Sequence, residues 1–265
     1  MYQFIKKERL LYIDSHFHML CLEEKGMDTA AILSEMDKLG MEGIDIGTVC
    51  DDLEKRKGIL RGHTNYALSA GIGPWAVGQS TEVMKQQILL HGPVCAIGEI
   101  GLDNHWKDYA PKKEQEALFL EQIELANELA LPIIIHCREA DEQLLTILKS
   151  VPFKKQGILH CFEGSPTLCA RALDKGFYIS FSGVITYKGS EKLRDIAKQV
   201  PFSQLLLETD SPYLAPIPQR GKRNTPLYIP YTYEAMGTIK GVSASELQAQ
   251  LLLNLHAFLS QGQNA

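Results

Sequence analysis

The sequence lacks several features that would place it in a membrane or outside the cell. No uninterrupted apolar run reaches the length of about 20 residues that a bilayer-spanning helix needs. The opening segment MYQFIKKERL has neither a long apolar stretch nor a small-residue cleavage site, so we expect no signal peptide. The six cysteines include no CxxC pair and are expected to be buried thiols in a reducing compartment. These absences predict a cytoplasmic protein without a membrane partner.

The chain also lacks an excess of basic residues. Its 265 residues include 27 Lys and Arg against 32 Asp and Glu, which gives a net charge of −5. This balance argues against a protein that coats nucleic acid through a broad basic face, although it leaves room for a local basic patch. No linker, repeat or low-complexity segment marks a boundary, so we expect a single domain over residues 1–265. Nothing indicates an obligate protein partner.

Strand-like apolar runs alternate with helical patterns along the whole chain. The predicted strands are Leu10–Asp14, Ile44–Val49, Tyr66–Ile72, Val94–Ile100, Pro132–His136, Gly157–His160, Tyr178–Phe181 and Leu205–Glu208. The predicted helices are Thr29–Leu39, Leu53–Arg61, Thr81–His91, Lys112–Ala130, Ala140–Ser150, Pro166–Lys175 and Ser190–Lys198, then Thr225–Lys240 and Ala244–Leu259, with a frayed tail over Gln261–Ala265. Eight strand–helix units predict an α/β fold, a (β/α)8 TIM barrel, with a doubly wound open sheet as the alternative.

The first predicted strand leads into Asp14-Ser15-His16-Phe17-His18. Alternate residues of an extended strand point to the same side, so Asp14, His16 and His18 are expected to share one face. Two imidazoles at this spacing converge on one point, as two ligands of one metal ion must. The alternative is a polar strand end with two solvated histidines.

Further potential metal ligands fall at the carboxyl ends of other predicted strands, where a barrel of this kind gathers its active site. The six candidates are His16, His18, Glu99, His136, His160 and Asp210. Each alone would be a hydrogen-bonded or capping residue, but together they predict a metal centre. Four imidazoles and two carboxylates suit Zn²⁺, Mn²⁺ or Fe²⁺ better than a hard ion bound mainly by oxygen. Six ligands are many for one catalytic ion and fit two ions that share a bridge.

Four carboxylates receive roles in this hypothesis. Glu99 is the expected bridge, because a carboxylate has two oxygens and the fourth strand lies between the two histidine groups. Asp210 is expected to hold one ion and to take the proton of the attacking water. Asp14 and Glu208 each lie two residues from a ligand and are expected to orient it. The alternative for both is pairing with the backbone.

Five segments also carry a resemblance: DSHFH, GEIGLD, PIIIHCREA, GILHCFEGS and LLLETDSPYL. In this order and at these intervals, from about Leu11 to about Pro226, the chain resembles the TatD-type metal-dependent deoxyribonucleases among the amidohydrolase-like barrels. The resemblance implies one metal site of His16, His18, Glu99 and Asp210, and a second of Glu99, His136 and His160. It also implies hydrolysis of DNA, often as a 3′→5′ exonuclease on single strands, commonly with Mg²⁺. The expected cofactors are therefore two divalent ions, Zn²⁺, Mn²⁺ or Mg²⁺, and the expected partner is a single-stranded DNA end.

The chain departs from this family pattern after the third predicted strand. Many relatives carry GIHPH there, whereas this chain reads Gly71-Ile72-Gly73-Pro74-Trp75. Trp75 is a candidate for stacking on a base, an interaction worth about 1–3 kcal/mol in single-strand binders. The alternative is a loop aromatic that covers the barrel mouth.

Three arginines are candidates for phosphate binding. Arg138 follows His136 by two positions and can point to the same side. Arg220 and Arg223 belong to a basic run after the eighth strand that resembles the basic loop of the family. Arginine offers bidentate contacts to phosphate, whereas a solvated loop is the usual meaning of such a run.

Three functions compete at this point. The leading hypothesis is a two-metal phosphodiesterase that acts on DNA ends, and the arginines weakly favour it. The second is a deacylase or amidase of the amidohydrolase type, which would use the same metal site on a C–N or ester bond. The third is a metal-binding or nucleic-acid-binding module without catalysis, against which the complete ligand set argues.

Overall fold

The computed structural model describes residues 11–106 and 108–262. The strands are β1 (Ile13–Phe17), β2 (Glu42–Asp45), β3 (Tyr66–Ala70), β4 (Ala96–Asp103), β5 (Ile133–Arg138), β6 (Gly157–Leu159), β7 (Tyr178–Phe181) and β8 (Leu205–Leu207). The helices are α1 (Met19–Glu24), α2 (Thr29–Leu39), α3 (Leu53–Ile59), α4 (Thr81–His91), α5 (Lys112–Glu128), α6 (Asp141–Ser150), α7 (Pro166–Asp174), α8 (Glu191–Gln199), α9 (Ile229–Lys240) and α10 (Ala244–Leu259).

The eight strands form one parallel sheet in the order β1 to β8. A parallel bridge between Phe17 and Ser211 closes the seam between β1 and the segment after β8. Two backbone hydrogen bonds reinforce it, from the N–H of His18 to the carbonyl of Ser211 and from the N–H of Asp210 to the carbonyl of His16, both 2.9 Å. The predicted TIM barrel is therefore confirmed, and three candidate ligands, His16, His18 and Asp210, take part in the hydrogen bonds of its seam.

The predicted bounds of the first strand are wrong. Its amino end, Leu10, lies outside the described residues, and β1 runs from Ile13 to Phe17. Hydrophobicity placed the strand on the apolar run, but the polar residues that follow are buried because neighbouring strands supply partners. Ser15 Oγ, for example, donates to the carbonyl of Leu207 at 3.1 Å and contacts Ser180 Oγ at 2.9 Å.

The helices follow the predicted pattern more closely. The bounds of α2, α4 and α10 agree with the prediction, whereas α9 begins later, at Ile229, after a 3-10 turn over Pro226–Tyr228. The short helix α1 was not predicted. Local capping explains the sharp starts: Asp28 accepts from the N–H of Ala31 at the start of α2.

The core lies inside the barrel and between the barrel and its helices. All three leucines of β8 are fully buried, and α10 covers this region with a face formed by Leu247, Leu251, Leu255 and Phe258. All six cysteines are free, but only Cys169 is buried and the other five are half-buried, so the expected burial holds for one of them. No helix within residues 11–106 and 108–262 is long and apolar enough to cross a membrane.

Candidate metal centre

β1 brings His16 and His18 to the carboxyl-terminal end of the barrel. Its pairing with β2 shifts between Asp14 and Phe17, so the strand is irregular at His16. Such bulges re-aim side chains and are common beside active sites. The Nε2 atoms of His16 and His18 lie 3.1 Å apart, so the two imidazoles converge as their spacing predicts.

β4 presents Glu99 from a second irregularity. The pairing of β4 with β5 shifts between Ile97 and Ile100, on either side of this residue. Gly71, just after β3, packs against the same backbone: a Cβ at this position would lie 2.6 Å from the backbone nitrogen of Glu99. Only glycine therefore allows the end of β3 to approach the segment that carries Glu99.

One oxygen of Glu99 faces the histidines of β1. Glu99 Oε2 lies 3.4 Å from His16 Nε2 and 3.7 Å from His18 Nε2. Asp210 Oδ1 lies 3.4 Å from His18 Nε2 and 3.7 Å from His16 Nε2. Asp210 has a φ of +54°, a left-handed conformation that is uncommon for non-glycine residues and recurs at functional sites. We call these four residues the first donor cluster.

The other oxygen of Glu99 faces His136 and His160. Glu99 Oε1 lies 2.9 Å from His136 Nδ1 and 2.9 Å from His160 Nε2. The two ring nitrogens are 3.2 Å apart. We call Glu99, His136 and His160 the second donor cluster. Glu99 thus faces each cluster with a different oxygen, which is the arrangement that a bridging carboxylate needs.

The spacing of the donor atoms fits divalent metal ions. Ligand atoms at about 2.0–2.2 Å from one ion lie about 3.0–3.6 Å from each other. The histidine–carboxylate and histidine–histidine separations in the two clusters run from 2.9 to 3.7 Å. Lone pairs packed this closely in a buried site are costly unless a cation lies between them. Imidazole-rich donor sets suit Zn²⁺ or Mn²⁺. The residues present therefore fit the metal ions that the sequence predicts.

Each histidine of the second donor cluster is backed by a further carboxylate. His136 Nε2 lies 3.1 Å from Asp103 Oδ2, and His160 Nδ1 lies 3.2 Å from Glu208 Oε1. Glu208 Oε1 also accepts a hydrogen bond from the N–H of Cys161 at 2.8 Å. Such outer carboxylates fix the orientation of a ligand ring. Glu208 therefore contacts His160, a ligand on another strand, and not the candidate ligand two residues away. Asp103 was given no role from the sequence, although this residue ends the motif GEIGLD.

The histidines of the first donor cluster have no such support. The Nδ1 atoms of His16 and His18 are buried and make no hydrogen bond within the described part of the chain. Asp14 holds the backbone instead: Oδ1 accepts from the N–H groups of His16, at 3.2 Å, and Thr209, at 2.9 Å. Its Oδ2 accepts from Thr209 Oγ1 at 2.6 Å. Asp14 thus joins β1 to the segment after β8, next to Asp210.

Burial and mutual charge set the protonation of these groups. Burial opposes the charge of Glu99, but the charge of His160 and hydrogen bonds from three histidines hold its pKa well below the usual range. Burial also disfavours the charged form of His160, yet Glu99 and Glu208 raise its pKa well above the usual value. Burial and then the charge of His160 lower the pKa of His16. Burial raises the pKa of Asp14 to about 8. An anionic Glu99 and a neutral His16 are the forms that bind a metal ion.

A cavity of about 690 Å³ opens over both donor clusters, a size that is usual for small-molecule sites. Trp75 and Arg138, two of the residues predicted to contact substrate, line it. Trp106 and Tyr109 line it as well. Sequence reasoning missed these two, and the only available signal was a pair of aromatic residues three positions apart shortly after GEIGLD.

The basic loop after β8 lies elsewhere. The guanidinium carbon of Arg220 is 4.3 Å from the ring centroid of Tyr187, and Arg223 Nη1 donates to the carbonyl of Lys25. Neither arginine is among the described residues that line the cavity. Their side chains attach the loop to Tyr187 and to the backbone of Lys25. Of the three candidate arginines, Arg138 is the one that lines the cavity.

Comparison with known proteins identifies the family. The sequence model described as TatD related DNase matches residues 13–260. The chain belongs to the TatD-related DNase family. The resemblance carried by the five motifs is thereby confirmed.

Relatives within the family match over nearly their full length. The metal-dependent hydrolase YcfH of Escherichia coli K12 is 33% identical over 248 residues, which cover 90% of this chain and 91% of YcfH. The 3′-5′ ssDNA/RNA exonuclease TatD of Erwinia amylovora is 33% identical over 244 residues, 87% of this chain and 93% of that protein. The crystal structure of YjjV, a TatD homologue of Escherichia coli K12, matches with a TM-score of 0.85 and 28% identity, over 93% of this chain and 97% of YjjV.

Family membership and the donor clusters agree on the class of enzyme. The protein is a metal-dependent hydrolase of the TatD-related family, and its TIM barrel carries groups of His, Asp and Glu that are able to hold metal ions. The enzyme class predicted from the sequence is therefore confirmed.

Proposed function

We propose that this protein hydrolyses phosphodiester bonds of DNA, as a 3′→5′ exonuclease on single strands with two divalent metal ions. The observation that carries the proposal is the position of Glu99, which faces one donor cluster with Oε2 and the other with Oε1. Two ions about 3.5–4 Å apart are typical of nucleases and phosphatases. The exonuclease name of the Erwinia relative supports nucleic acid as the substrate.

The two donor clusters supply the proposed ligands. His16, His18, Glu99 and Asp210 would hold the first ion, and Glu99, His136 and His160 would hold the second. When bound, such a pair of ions lowers the pKa of a water and stabilises the attacking and leaving oxygens of a phosphodiester. The imidazole-rich ligand set favours Zn²⁺ or Mn²⁺ over Mg²⁺.

Asp210 is the proposed general base. Both side chains line the cavity, but that of Asp210 is 13% exposed and that of Glu99 is 3% exposed. In the proposed reaction the oxygen of a water bonds to phosphorus and the bond between phosphorus and the 3′ oxygen of the remaining strand breaks. Asp210 takes the proton of the water, and the leaving 3′ oxygen takes a proton from solvent. Glu99 stays ionised throughout as a ligand.

Arg138 is the proposed phosphate contact. It ends β5, two residues after His136, and its side chain is exposed at the cavity. Its guanidinium carbon lies 5.5 Å from the ring centroid of Trp106. A guanidinium held in this way keeps donors available for bidentate hydrogen bonds to a phosphate.

The direct test is turnover of a 5′-labelled single-stranded oligonucleotide by protein reconstituted with Mn²⁺ or Zn²⁺. We expect stepwise shortening by the wild type and no shortening by Glu99→Gln, which keeps the shape of the side chain but removes its charge. Glu124→Gln is the matched control, because Glu124 is exposed on α5, and it should cleave like the wild type. Absence of cleavage in protein shown to hold two ions would overturn the proposal and favour an amide or ester substrate.

A further inference from the structure

Three aromatic side chains, Trp75, Tyr109 and Trp106, form one wall of the cavity, which we call the aromatic wall. The ring centroid of Tyr109 lies 6.2 Å from that of Trp75 and 6.4 Å from that of Trp106. Trp75 lies 5.6 Å from His136 of the second donor cluster. At the other end Trp106 is 50% exposed. The wall therefore leads from the metal centre to the mouth of the cavity.

Local structure places the rings of this wall. Trp75 lies on the 3-10 turn Pro74–Ala76, and its indole covers Gly73, where a Cβ would lie 2.4 Å from a ring carbon. Trp75 occupies this position only because residue 73 has no side chain. Tyr109 and Trp106 share a turn in which the N–H of Tyr109 donates to the carbonyl of Trp106 at 3.2 Å.

Packing alone does not account for the wall. Trp75 and Tyr109 are half-buried and Trp106 is exposed, so all three keep surface open to the cavity. The guanidinium of Arg138 lies over Trp106. Aromatic faces beside a cationic group are the combination by which proteins bind single-stranded nucleic acid, with bases stacked on the rings and phosphates near the cation.

We propose that the aromatic wall stacks against the unpaired nucleobases at the 3′ end of the strand. The terminal base lies at Trp75, next to the metal centre, and the preceding base lies toward Trp106. This inference rests on the proposed function of the same site. Every base has a π face, so the wall selects unpaired ends over duplex ends without reading the sequence.

Intrinsic fluorescence tests this directly, because Trp75 and Trp106 are the two tryptophans of the chain. The probe is a single-stranded oligonucleotide with phosphorothioate linkages at its 3′ end, added to the metal-loaded enzyme. We expect it to quench the fluorescence. The same oligonucleotide with two abasic 3′ positions should bind at least about fivefold more weakly and leave the fluorescence unchanged. Equal affinity and equal quenching would overturn the inference.

Single substitutions locate the bases. Trp106→Leu, at an exposed position, should raise the Kd of the probe at least about fivefold, while Trp106→Phe keeps a ring and should bind like the wild type. Trp75→Phe leaves Trp106 as the reporter, and Trp106→Phe leaves Trp75. Gly73→Ala pushes the indole of Trp75 away and should weaken binding as Trp75→Leu does. If Trp106→Leu and Trp75→Leu both bind the probe with the Kd of the wild type, the aromatic wall does not stack on the bases.

The outcomes separate this inference from the proposed function. If the enzyme shortens oligonucleotides but binds abasic and normal 3′ ends equally, the proposed base stacking is wrong and the proposed nuclease activity stands. If quenching depends on the bases but no divalent ion supports cleavage, the aromatic wall binds nucleobases and the proposed nuclease activity is wrong.

Discussion

Asp103 touches His136 on the side of the imidazole that faces away from Glu99. Asp103 Oδ2 lies 3.1 Å from His136 Nε2, while His136 Nδ1 lies 2.9 Å from Glu99 Oε1. Asp103 is itself fixed, because its Oδ1 accepts from the N–H of His105 and its N–H donates to Gln115 Oε1. A carboxylate at Nε2 selects the tautomer in which Nδ1 carries the free lone pair, as a ligand must.

Asp103→Asn is therefore expected to weaken metal binding at the second donor cluster by about 10- to 100-fold. The amide keeps the size of the side chain but loses the charge that favours the correct tautomer of His136. Competition with a chromophoric chelator measures the affinity. Asp108→Asn, an exposed change in the same loop, is the control and should leave it unchanged. Equal affinities in both variants would show that Asp103 has no role in holding the ring.

Arg138 and Arg223 offer a matched pair for the phosphate contact. Arg138→Ala is expected to raise the KM for oligonucleotides at least about tenfold, since hydrogen bonds to a charged group contribute about 1.5–3 kcal/mol. Arg223→Ala is expected to leave KM within twofold, because this side chain bonds the carbonyl of Lys25 outside the cavity. Steady-state kinetics measure both values of KM. A raised KM in Arg223→Ala and an unchanged KM in Arg138→Ala would indicate that the loop after β8 binds the phosphate instead.

Arg56 is a buried arginine whose hydrogen-bond network reaches the residue next to the candidate ligand His18. Its Nη1 lies 2.9 Å from Asp45 Oδ2 and its Nε lies 2.9 Å from Asp52 Oδ1, with the arginine side chain 1% exposed. Asp45 Oδ1 in turn accepts from the N–H of Met19, the residue after His18. The network thus ties the turn that carries a candidate ligand to β2 and α3.

Arg56→Met should lower the free energy of unfolding by about 3–5 kcal/mol, because it leaves two buried carboxylates without their partner. Urea denaturation measures this change. Arg61→Met, at an exposed position two residues beyond α3, should change stability by less than about 0.5 kcal/mol. A similarly small loss in Arg56→Met would mean that the network does not hold β2 and α3 together.

Ser243 caps α10 through a reciprocal pair with Glu246. Ser243 Oγ accepts from the N–H of Glu246, and Glu246 Oε2 accepts from the N–H of Ser243 at 2.9 Å. Ser243→Ala should therefore lower the free energy of unfolding by about 0.5–2 kcal/mol at pH 7. Ser34→Ala, at an exposed position on α2 away from the cap, is the control.

This effect should depend on pH. Hydrogen bonds from Ser243 lower the pKa of Glu246 below its ordinary value of 4.5. A lowered pKa in the folded state contributes stability above that ordinary value, and the contribution disappears as the pH falls through the folded pKa. The difference in the free energy of unfolding between the wild type and Ser243→Ala should therefore become smaller below about pH 4.5. A gap that widens with acid would contradict the capping pair.

The sequence predicts the parts of the site that repeat with the strands. His16 and His18 converge because a strand has a period of two, and Glu99 lies between the histidine groups because β4 lies between β1 and β5 in the barrel order. The bounds of β1 and β4 were harder to predict, because their polar residues become buried only through partners on other strands.

The residues missed by sequence reasoning depend on contacts across the fold. Arg56 follows Glu54 and Lys55 and precedes Lys57, so nothing in the pattern of α3 separates it from an exposed charge. Its burial follows from Asp45, which reaches it from β2. Trp106 and Tyr109 lie in a loop, where no period shows which side chains face the cavity.

Anomalous diffraction from crystals of the Mn²⁺-loaded protein would show whether two ions share Glu99. We predict two peaks about 3.5–4 Å apart, one beside the Nε2 atoms of His16 and His18 and one beside His136 Nδ1 and His160 Nε2. The Glu99 carboxylate should lie between them. A single peak, or two peaks that Glu99 does not touch, would show that Glu99 does not bridge two ions.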